Sequence, residues 1–301
     1  MSVLVTGGSG LVGRHLRLLM PEATYVSGRE FDLTRPGQVD RLLSMDRWTR
    51  VVHLSALVGG ILDNMARPTA YLEDNLLMNT YFLRRCRETE IPRLTAILSS
   101  CIYPDSPPMG YPMEEYEMHE GPPARSNLGY AVAKRALSTQ VDLTNEETGG
   151  GWNYLVPCNL YGSGDKEDHG RSHFVTALLR KIREANETGG DHVVLLGDGT
   201  PRRQFMHAAD LAACIARMVR EDITESFNVC VPDNPTVAEI ARTALDATAS
   251  GHLEVRFSGD ARENGQMRKD ISNARMMRLM PGFEFTPLRE GIQAVYQNST
   301  R

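Results

Sequence analysis

Short apolar runs alternate with longer segments of helical periodicity over the first half of the chain. The apolar runs predict strands over 3–6, 24–27, 50–54, 94–98 and 152–157. The segments between them predict helices over 11–20, 36–46, 68–89 and 126–148. Alternation of this kind is typical of a parallel sheet whose strands are joined by crossover helices. The sequence therefore predicts an α/β fold with a doubly wound parallel sheet.

The pattern changes after position 162, where a glycine- and charge-rich loop runs to position 172. The elements predicted beyond it are helices over 172–187 and 208–220 and strands over 192–196 and 226–229. The tail over 236–301 is predicted to contain a helix, a strand over 253–257 and terminal helices. The strand over 226–229 can return to the first sheet. We therefore expect a smaller α/β domain interleaved with the first. The expected division is 1–162 with about 204–230 against about 163–203 with 231–301.

Composition narrows the class of protein. The formal net charge of −5 makes nucleic acid an unsuitable partner. No apolar run reaches the roughly 18 residues that a membrane span needs. No basic segment followed by an apolar signal region precedes the first strand, so we expect a cytoplasmic protein without a membrane partner. The cysteines are scattered and lack CxxC spacing, which argues against disulfides and a zinc site; they are Cys86, Cys101, Cys158, Cys214 and Cys230.

A glycine-rich turn follows the first predicted strand and opens a helix. Glycines at such a turn let the backbone approach a pyrophosphate, and the helix N-terminus supplies free N–H groups and a positive dipole end. This context predicts a Rossmann-type dinucleotide site, with a purely structural turn as the alternative. The candidate contacts are Gly7, Gly8, Ser9, Gly10, Leu11, Val12 and Gly13.

The end of the second predicted strand indicates which dinucleotide binds. NAD-selective sites place a carboxylate there to hold the ribose 2′-hydroxyl, whereas this chain has Arg29. An arginine can pair with a 2′-phosphate, so the sequence favours NADP, although Glu30 lies beside it. A solvated surface arginine is the alternative. Asp32 and Leu33 are candidate adenine contacts, with helix capping as the alternative for Asp32.

A phenol and an ammonium lie one helical turn apart at Tyr130 and Lys134. Tyr130 is the only tyrosine with lysine at the fourth following position. A neighbouring lysine and a nicotinamide cation favour the phenolate, so we expect a lowered pKa for Tyr130 and a role in proton transfer. Ser99 ends the predicted strand 94–98 and can hold a substrate carbonyl oxygen. The alternatives are an exposed helical pair and a hydroxyl that caps the backbone.

With these motifs the chain resembles the extended short-chain dehydrogenase/reductase family over essentially its whole length. The segments that carry the resemblance are Gly7 to Gly13, His53 to Ala56, Val58 to Gly60, Ser99 to Pro104, Gly121 to Pro123, Ser126-Asn127, Gly129 to Lys134, Asn159 to Gly162, Ser172-His173, Gly197 to Phe205 and Asp210 to Ala212. Within the family the chain is similar to NADPH-dependent enzymes that epimerise GDP-4-keto-6-deoxy-D-mannose at C3 and C5 and reduce it at C4 to GDP-L-fucose.

The resemblance implies that Cys101 and His173 exchange the carbon-bound protons. A thiol and an imidazole have suitable intrinsic pKa values for that exchange. The alternatives are a small core residue for Cys101 and a capping or surface residue for His173. Cys158, on a predicted strand without motif support, is expected in the core. Sugar-nucleotide dehydratases carry an Asp-Glu pair where this chain has Ser100 and Cys101, so dehydration is not expected.

The resemblance also implies further contacts and an assembly. Besides Tyr130, Lys134 and His173, the expected cofactor contacts are Ser55, Ala56 and Asn159, with structural capping as the alternative for Asn159. The expected GDP-sugar contacts are Ser100, Lys181, Leu196, Arg203 and Lys269, with Arg203 on the diphosphate and a solvated charge as the alternative for Lys181. The family usually has tryptophan at the position of Leu196 and arginine at that of Lys181. Helices 68–89 and 126–148 are expected to pair two copies into a homodimer.

Two other functions fit the same motifs. One is a related reductase or epimerase that acts on another GDP- or CDP-linked 4-keto sugar, for example a 6-deoxy-heptose. The other is a regulator that binds NADP without turnover. Such regulators typically lose the tyrosine or the lysine, and this chain keeps both Tyr130 and Lys134.

Overall fold

The computed structural model describes residues 2–165 and 173–298. The strands are β1 (Val3–Thr6), β2 (Thr24–Val26), β3 (Arg50–His53), β4 (Leu94–Ile97), β5 (Trp152–Pro157), β6 (Asn159–Tyr161), β7 (His192–Leu195), β8 (Phe205–His207), β9 (Phe227–Val229) and β10 (Glu254–Phe257). The helices are α1 (Leu11–Leu19), α2 (Pro36–Leu43), α3 (Ile61–Ala66), α4 (Pro68–Glu88), α5 (Leu128–Thr148), α6 (Phe174–Thr188), α7 (Ala208–Arg220), α8 (Val237–Ala247), α9 (Ala274–Leu279) and α10 (Leu288–Asn298).

A six-stranded parallel sheet in the order β2-β1-β3-β4-β5-β9 forms the centre of the molecule. Every residue of β1, β3 and β4 is buried, as expected for strands covered by helices on both faces. The strand β2 lies on one side of β1, and β3 lies on the other, so the order of strands along the sheet switches direction between β1 and β3. Ligands of such sheets bind at the carboxyl ends of the two strands that flank the switch point. The predicted α/β fold with a doubly wound sheet is confirmed.

Three short elements were not predicted. Strands β6 and β8 are three residues each and pair in parallel outside the main sheet, and α3 has six residues. Segments this short contain too few positions for a periodic hydrophobic signal. Several predicted elements also extend beyond their observed ends, most at α2, which ends at Leu43 rather than at position 46.

Two hydrophobic cores lie side by side. The first packs the main sheet between its helices, and the second packs α6, α8 and α10 against β7 and β8. Strand β9 returns to the main sheet beside β5, which agrees with the expected interleaving of the chain. Met276 and Met280, from the terminal part of the chain, are buried in the first core. The domain boundaries themselves stay a prediction.

Helices α4 and α5, each 21 residues long, pack against one another on one side of the sheet. Their outer surface exposes large apolar side chains at Leu77, Val132 and Leu143. No helix in the described part of the chain is long and apolar enough to cross a membrane. The same residues contain no group of histidine, cysteine and acidic side chains that could hold a metal ion.

Candidate active site

The chain leaves β4 through a tight turn that carries three of the predicted site residues. The turn is a 3₁₀ helix, Ser100–Ile102, and the Ser99 hydroxyl oxygen accepts a hydrogen bond from the Cys101 N–H at 3.3 Å. Ser99 therefore caps the backbone, as its structural alternative proposed, and its O–H is directed to the Cys101 sulfur. The Ser100 side chain is buried, whereas Cys101 is partly exposed.

Helix α5 brings Tyr130 and Lys134 to the same strand end. The Lys134 ammonium is buried and donates a hydrogen bond of 2.6 Å to the carbonyl oxygen of Ile97, the last residue of β4. Its nitrogen lies 5.9 Å from the centroid of the Tyr130 ring. Burial lowers the pKa of Lys134 to about 7. Lys134 is therefore inside the protein and Tyr130 is partly buried, so the two do not form an exposed helical pair.

The pKa of Tyr130 departs from the sequence-based expectation. It is raised by burial, and the Cys101 and Tyr71 side chains raise it further. Without a bound cofactor, Lys134 does not offset this. The Tyr71 ring lies edge-on at 6.4 Å, and its hydroxyl donates to the carboxylate of Asp63 at 2.6 Å. Without a bound cation, Tyr130 is thus held as the neutral phenol.

Lys269 contacts Cys101, the candidate catalytic thiol. The sequence did not predict this contact. The Lys269 ammonium is 3.3 Å from the sulfur of Cys101. Burial raises the pKa of Cys101, but the charge of Lys269 and hydrogen bonds from Ser99, Lys269 and Asn127 outweigh it, so the pKa is lowered overall. Asn127 precedes Tyr130 by three residues, one helical turn, and that spacing could have pointed to it.

His173 pairs with the carboxylate of Asp165, a partner that the sequence did not predict. Its Nδ1 lies 2.9 Å from Oδ1 of Asp165, whose side chain is 4% exposed. The Thr176 hydroxyl donates to the other carboxylate oxygen of Asp165 at 2.6 Å. This arrangement fixes the imidazole through Nδ1 and leaves Nε2 for a substrate. Ser172, which accompanied His173 in the family resemblance, lies outside the described residues, as does most of the loop over 162–172.

The glycine loop after β1 has the geometry that a pyrophosphate needs. Gly7 has a positive φ of 69°, and a Cβ there would lie 2.8 Å from the backbone nitrogen of Ser55. A Cβ on Gly13 would lie 2.7 Å from Cα of Gly8. Gly10 caps α1 without a side chain, so the N–H groups of the first turn, from Leu11 onward, stay open to an anion. The loop fits a dinucleotide.

The residues after β2 include both a cation and carboxylates that could lie near the cofactor's ribose. Arg29 is exposed and has no ion pair within the described ranges, so it is available to a phosphate. The Glu30 carboxylate accepts hydrogen bonds from the nitrogen and hydroxyl of Ser27, at 2.8 and 2.7 Å, and its pKa is lowered by them. Asp32 caps a turn through Thr34, as its alternative proposed, and Leu33 is buried in the core.

The remaining cofactor candidates line the strand ends. The Ser55 nitrogen lies 3.4 Å from the Thr6 hydroxyl, which joins the ends of β3 and β1, and Ala56 follows it. The Asn159 side chain donates to the carbonyl oxygen of Gln204 at 2.8 Å and so joins β6 to the residue before β8. Its amide nitrogen therefore has a structural partner, and its amide oxygen remains for a ligand. Cys158 is buried, as expected.

The candidate substrate contacts separate into two groups. Arg203 lies near Cys101 and donates to the carbonyl oxygens of Arg202 at 2.7 Å and Asn264 at 3.4 Å. Burial lowers its pKa, the Cys101 charge opposes that effect, and no carboxylate within the described ranges pairs with it. Lys181 donates to the carbonyl oxygen of Val194 at 2.6 Å, near the exposed Leu196 at the end of β7. Within the described residues neither Arg203 nor Lys181 forms an ion pair with a carboxylate, which suits a diphosphate.

Comparison with known proteins identifies relatives across the full length. Residues 3–230 match the model of the NAD dependent epimerase/dehydratase family. A probable GDP-L-fucose synthase of Drosophila melanogaster is 30% identical over 97% of this chain and 95% of its own length. A GDP-L-colitose synthase of Yersinia pseudotuberculosis is 30% identical over 91% of this chain and 90% of its own.

A solved structure supports the same relationship. The GDP-L-fucose synthetase of Naegleria fowleri, determined bound to NADP, superposes with a TM-score of 0.87 and 30% identity. The match covers 98% of this chain and 91% of that one. The resemblance identified from the motifs is therefore confirmed. The chain belongs to the NAD dependent epimerase/dehydratase family, in which it is similar to the GDP-L-fucose synthases.

Proposed function

We propose that this protein is a bifunctional NADPH-dependent enzyme that epimerises GDP-4-keto-6-deoxy-D-mannose at C3 and C5 and reduces it at C4 to GDP-L-fucose. The observation that carries the proposal is the convergence of Ser99, Cys101, Tyr130 and Lys134 at the end of β4. A reductase alone needs the hydroxyl, the phenol and the lysine. The thiol with a lowered pKa supplies the proton acceptor that epimerisation also requires.

The glycine loop and the end of β2 would hold the cofactor. The open N-terminus of α1 receives the pyrophosphate, Arg29 pairs with the 2′-phosphate and Lys134 holds the nicotinamide ribose. Glu30 does not oppose this, because its carboxylate is bonded to Ser27. When bound, NADPH supplies the hydride for reduction of the C4 ketone. The NADP bound to the Naegleria relative supports this choice over NAD.

Ser99 and Tyr130 carry the protein's part of the reduction. When substrate binds, Ser99 turns its O–H from the Cys101 sulfur to the C4 carbonyl oxygen and so orients the ketone. Tyr130 gives its phenolic proton to the same oxygen as the alkoxide forms. The raised pKa of Tyr130 keeps that proton in place until the alkoxide develops. The positive charges of Lys134 and the cofactor then stabilise the phenolate that remains.

Cys101 and His173 carry the epimerisation. The C4 ketone acidifies the neighbouring C–H bonds, so the sulfur of Cys101 takes a proton from carbon while the electron pair moves onto the C4 oxygen. His173 returns a proton to that carbon on the opposite face, and the electron pair returns from oxygen to carbon. Asp165 holds the imidazole through Nδ1, so that Nε2 makes the transfer.

We also propose a homodimer in the cytoplasm. The exposed Leu77, Val132 and Leu143 on adjoining faces of α4 and α5 support pairing of two copies through these helices. All five cysteines are unpaired, which supports a reducing compartment. A monomer would leave this apolar surface in water.

A related GDP-linked or CDP-linked 4-keto sugar is the second candidate substrate. The similarity to a GDP-L-colitose synthase, at the same 30% identity, favours keeping it. Leu196 supports it as well, because this exposed aliphatic side chain stands where the resembled enzymes usually have tryptophan. Recognition of the base or the sugar can therefore differ while the chemistry stays the same.

A substrate panel tests the proposed function. Purified protein is mixed with NADPH and GDP-4-keto-6-deoxy-D-mannose, a GDP-linked 4-keto-6-deoxy-heptose or a CDP-linked 4-keto sugar, and NADPH absorbance is followed. We expect NADPH consumption with the GDP-mannose derivative and a product that co-elutes with GDP-L-fucose. Consumption only with another sugar supports the second candidate. No consumption with any of them contradicts both, and Tyr130→Phe serves as the inactive control.

A further inference from the structure

We propose that Lys269 is a positioning residue that holds Cys101 as one half of an ammonium–thiolate pair in the resting enzyme. This inference deepens the proposed function, since it names the group that prepares the epimerisation base. The two residues are 168 positions apart in the chain, yet their side-chain nitrogen and sulfur lie 3.3 Å apart. The family resemblance implied that Lys269 contacts the substrate, whereas the structure places its ammonium against the Cys101 thiol.

Lys269 lies in a loop that is fixed on both sides. The carbonyl oxygen of Asp270 accepts a hydrogen bond from the Met113 nitrogen at 3.0 Å, and the carbonyl oxygen of Met267 accepts one from the Arg202 nitrogen at 2.9 Å. These contacts hold the loop against the long segment after β4 and against the segment between β7 and β8. The ammonium therefore reaches Cys101 from a defined backbone position.

Among the residues that the structure describes, no carboxylate competes for Lys269. The nearest acidic residue in sequence, Asp270, accepts from the guanidinium of Arg268 at 2.8 Å. Within residues 2–165 and 173–298, no carboxylate lies within ion-pair distance of Lys269. An ammonium without an anionic partner is costly to hold near a protein interior, and a thiolate at this distance offsets that cost.

The other cysteines show what happens to a thiol without such a partner. Burial raises the pKa of Cys158 and Cys214 to about 12 and raises those of Cys86 and Cys230 well above the usual value. The pKa of Cys101 alone among the five is lowered, although burial opposes this, because Lys269 and the hydrogen bonds favour the charged sulfur.

The other groups around the sulfur are compatible with a negative charge. Arg203 faces it, and the thiolate raises the pKa of that guanidinium against the effect of burial. Tyr130 faces it from α5 and stays protonated, since the thiolate raises its pKa. Asn127 supplies a side-chain hydrogen bond, and its buried amide oxygen has no partner within the described part of the chain. The described neighbours of the sulfur that shift its pKa include no carboxylate.

The pair has a defined role in the proposed reaction. The thiolate takes the proton from C3 or C5, so a C–H bond breaks, an S–H bond forms and the electron pair moves onto the C4 oxygen. Lys269 keeps its proton throughout and acts through Cys101 rather than on the sugar. Its contribution is to make the sulfur a base before substrate arrives.

Thiol alkylation measures this directly, without substrate or cofactor. The full-length protein is treated with iodoacetamide between pH 5 and 10, and the rate at Cys101 is followed by mass spectrometry of its peptide. The wild type should reach its plateau with a midpoint below the ~8.5 of a free cysteine. Lys269→Met should raise that midpoint by a unit or more and slow alkylation at pH 7 by about tenfold.

Three comparisons make the result decisive. Lys269→Arg should restore most of the wild-type rate at pH 7, and Arg262→Met, which removes an exposed cation nearby in the chain, should leave it unchanged. At pH 10 all variants should react at similar rates, because the thiol is then ionised in each. A wild-type midpoint at or above ~8.5 overturns the proposal whatever the variants do. A Lys269→Met midpoint equal to that of the wild type also overturns it. Because alkylation needs no turnover, either result is separable from failure in the substrate panel.

Discussion

At the scale of single residues, Cys101 and Cys158 show how surroundings decide chemistry. Both follow strands of the main sheet, and both were visible in the sequence. Burial raises the pKa of Cys158 to about 12, whereas the Lys269 charge and neighbouring hydrogen bonds lower that of Cys101. The motif around Cys101 could identify it as a candidate. It could not identify Lys269 as its partner, because the two residues meet only through the fold.

Asp165 offers a test of how His173 is held. Asp165→Asn removes the carboxylate that bonds Nδ1 and should reduce proton return to C3 and C5 by about one to two orders of magnitude. The measurement is deuterium incorporation from deuterated water relative to NADPH oxidation in the same reaction. Thr176→Val, which removes a hydroxyl from the same carboxylate but keeps the imidazole bond, is the matched control and should change the ratio far less. Equal ratios in the wild type and Asp165→Asn would remove Asp165 from the mechanism.

His53 predicts how stability depends on pH. Its ring is fully buried between the Thr6 hydroxyl and the Asn79 amide and stacks on Phe82. Burial, assisted by Lys134, lowers its pKa to about 3, so the folded protein keeps it neutral. Its stabilising contribution is complete above ~6.5, the pKa of a free histidine, and is lost as the pH falls toward about 3.

Urea unfolding between pH 4 and 8 measures this contribution. As the pH is lowered from 8 to 4, the free energy of unfolding of the wild type should decrease more steeply than that of His53→Gln. Some slope remains in the variant, because burial also lowers the pKa values of His15 and His207. Parallel curves for the two proteins would show that His53 is not the source.

At the scale of elements, the main strands and helices followed directly from hydrophobic periodicity. The glycine loop and the Tyr130–Lys134 pair could be predicted because each lies within one turn or one helix. Asp165 and the β6–β8 pair could not, because a carboxylate in a charged loop and a three-residue strand have no distinctive local pattern. The raised pKa of Tyr130 in the protein without cofactor could not be predicted, because its burial depends on packing between α5 and α4.

The glycine loop gives a prediction at this scale. A Cβ on Gly13 would meet backbone atoms of Gly7 and Gly8 at 2.7 to 2.8 Å, so Gly13→Ala forces the loop away from α1. We expect a loss of about 1–3 kcal/mol in the free energy of unfolding and weaker NADPH binding. Gly37→Ala, in α2, meets no atom within 4 Å and should leave stability unchanged or slightly higher. Thermal unfolding and NADPH fluorescence titration measure both. Normal NADPH affinity in Gly13→Ala would contradict the account of the loop.

At the scale of the whole molecule, one buried side chain ties distant segments together at the site. The Gln204 amide nitrogen donates to the carbonyl oxygens of Val231 and Ile271, at 2.8 and 3.1 Å, and its amide oxygen accepts from the Ile271 nitrogen at 3.0 Å. The backbone carbonyl oxygen of Gln204 accepts a hydrogen bond from the Asn159 side chain. This network sets the loop that carries Lys269 against the main sheet, which explains why residues far apart in sequence share one site.

The outer face of α4 and α5 gives the prediction for assembly. Leu143 is 53% exposed on this face, and burying a charge in its place should break the proposed dimer. We expect sedimentation equilibrium to give a dimer for the wild type and a monomer for Leu143→Glu. Leu18→Glu, at an exposed position on α1, should remain dimeric. A monomeric wild type would contradict the proposed dimer.

The central claim is that Cys101 turns a reductase site into an epimerase-reductase site. The most direct measurement is deuterium incorporation when GDP-4-keto-6-deoxy-D-mannose and NADPH are converted in deuterated water. We predict deuterium at C3 and C5 of the product with the wild type and with Cys158→Ala. Cys101→Ser should incorporate little, while reduction of the unepimerised sugar can continue. Full incorporation at both carbons by Cys101→Ser would contradict the account.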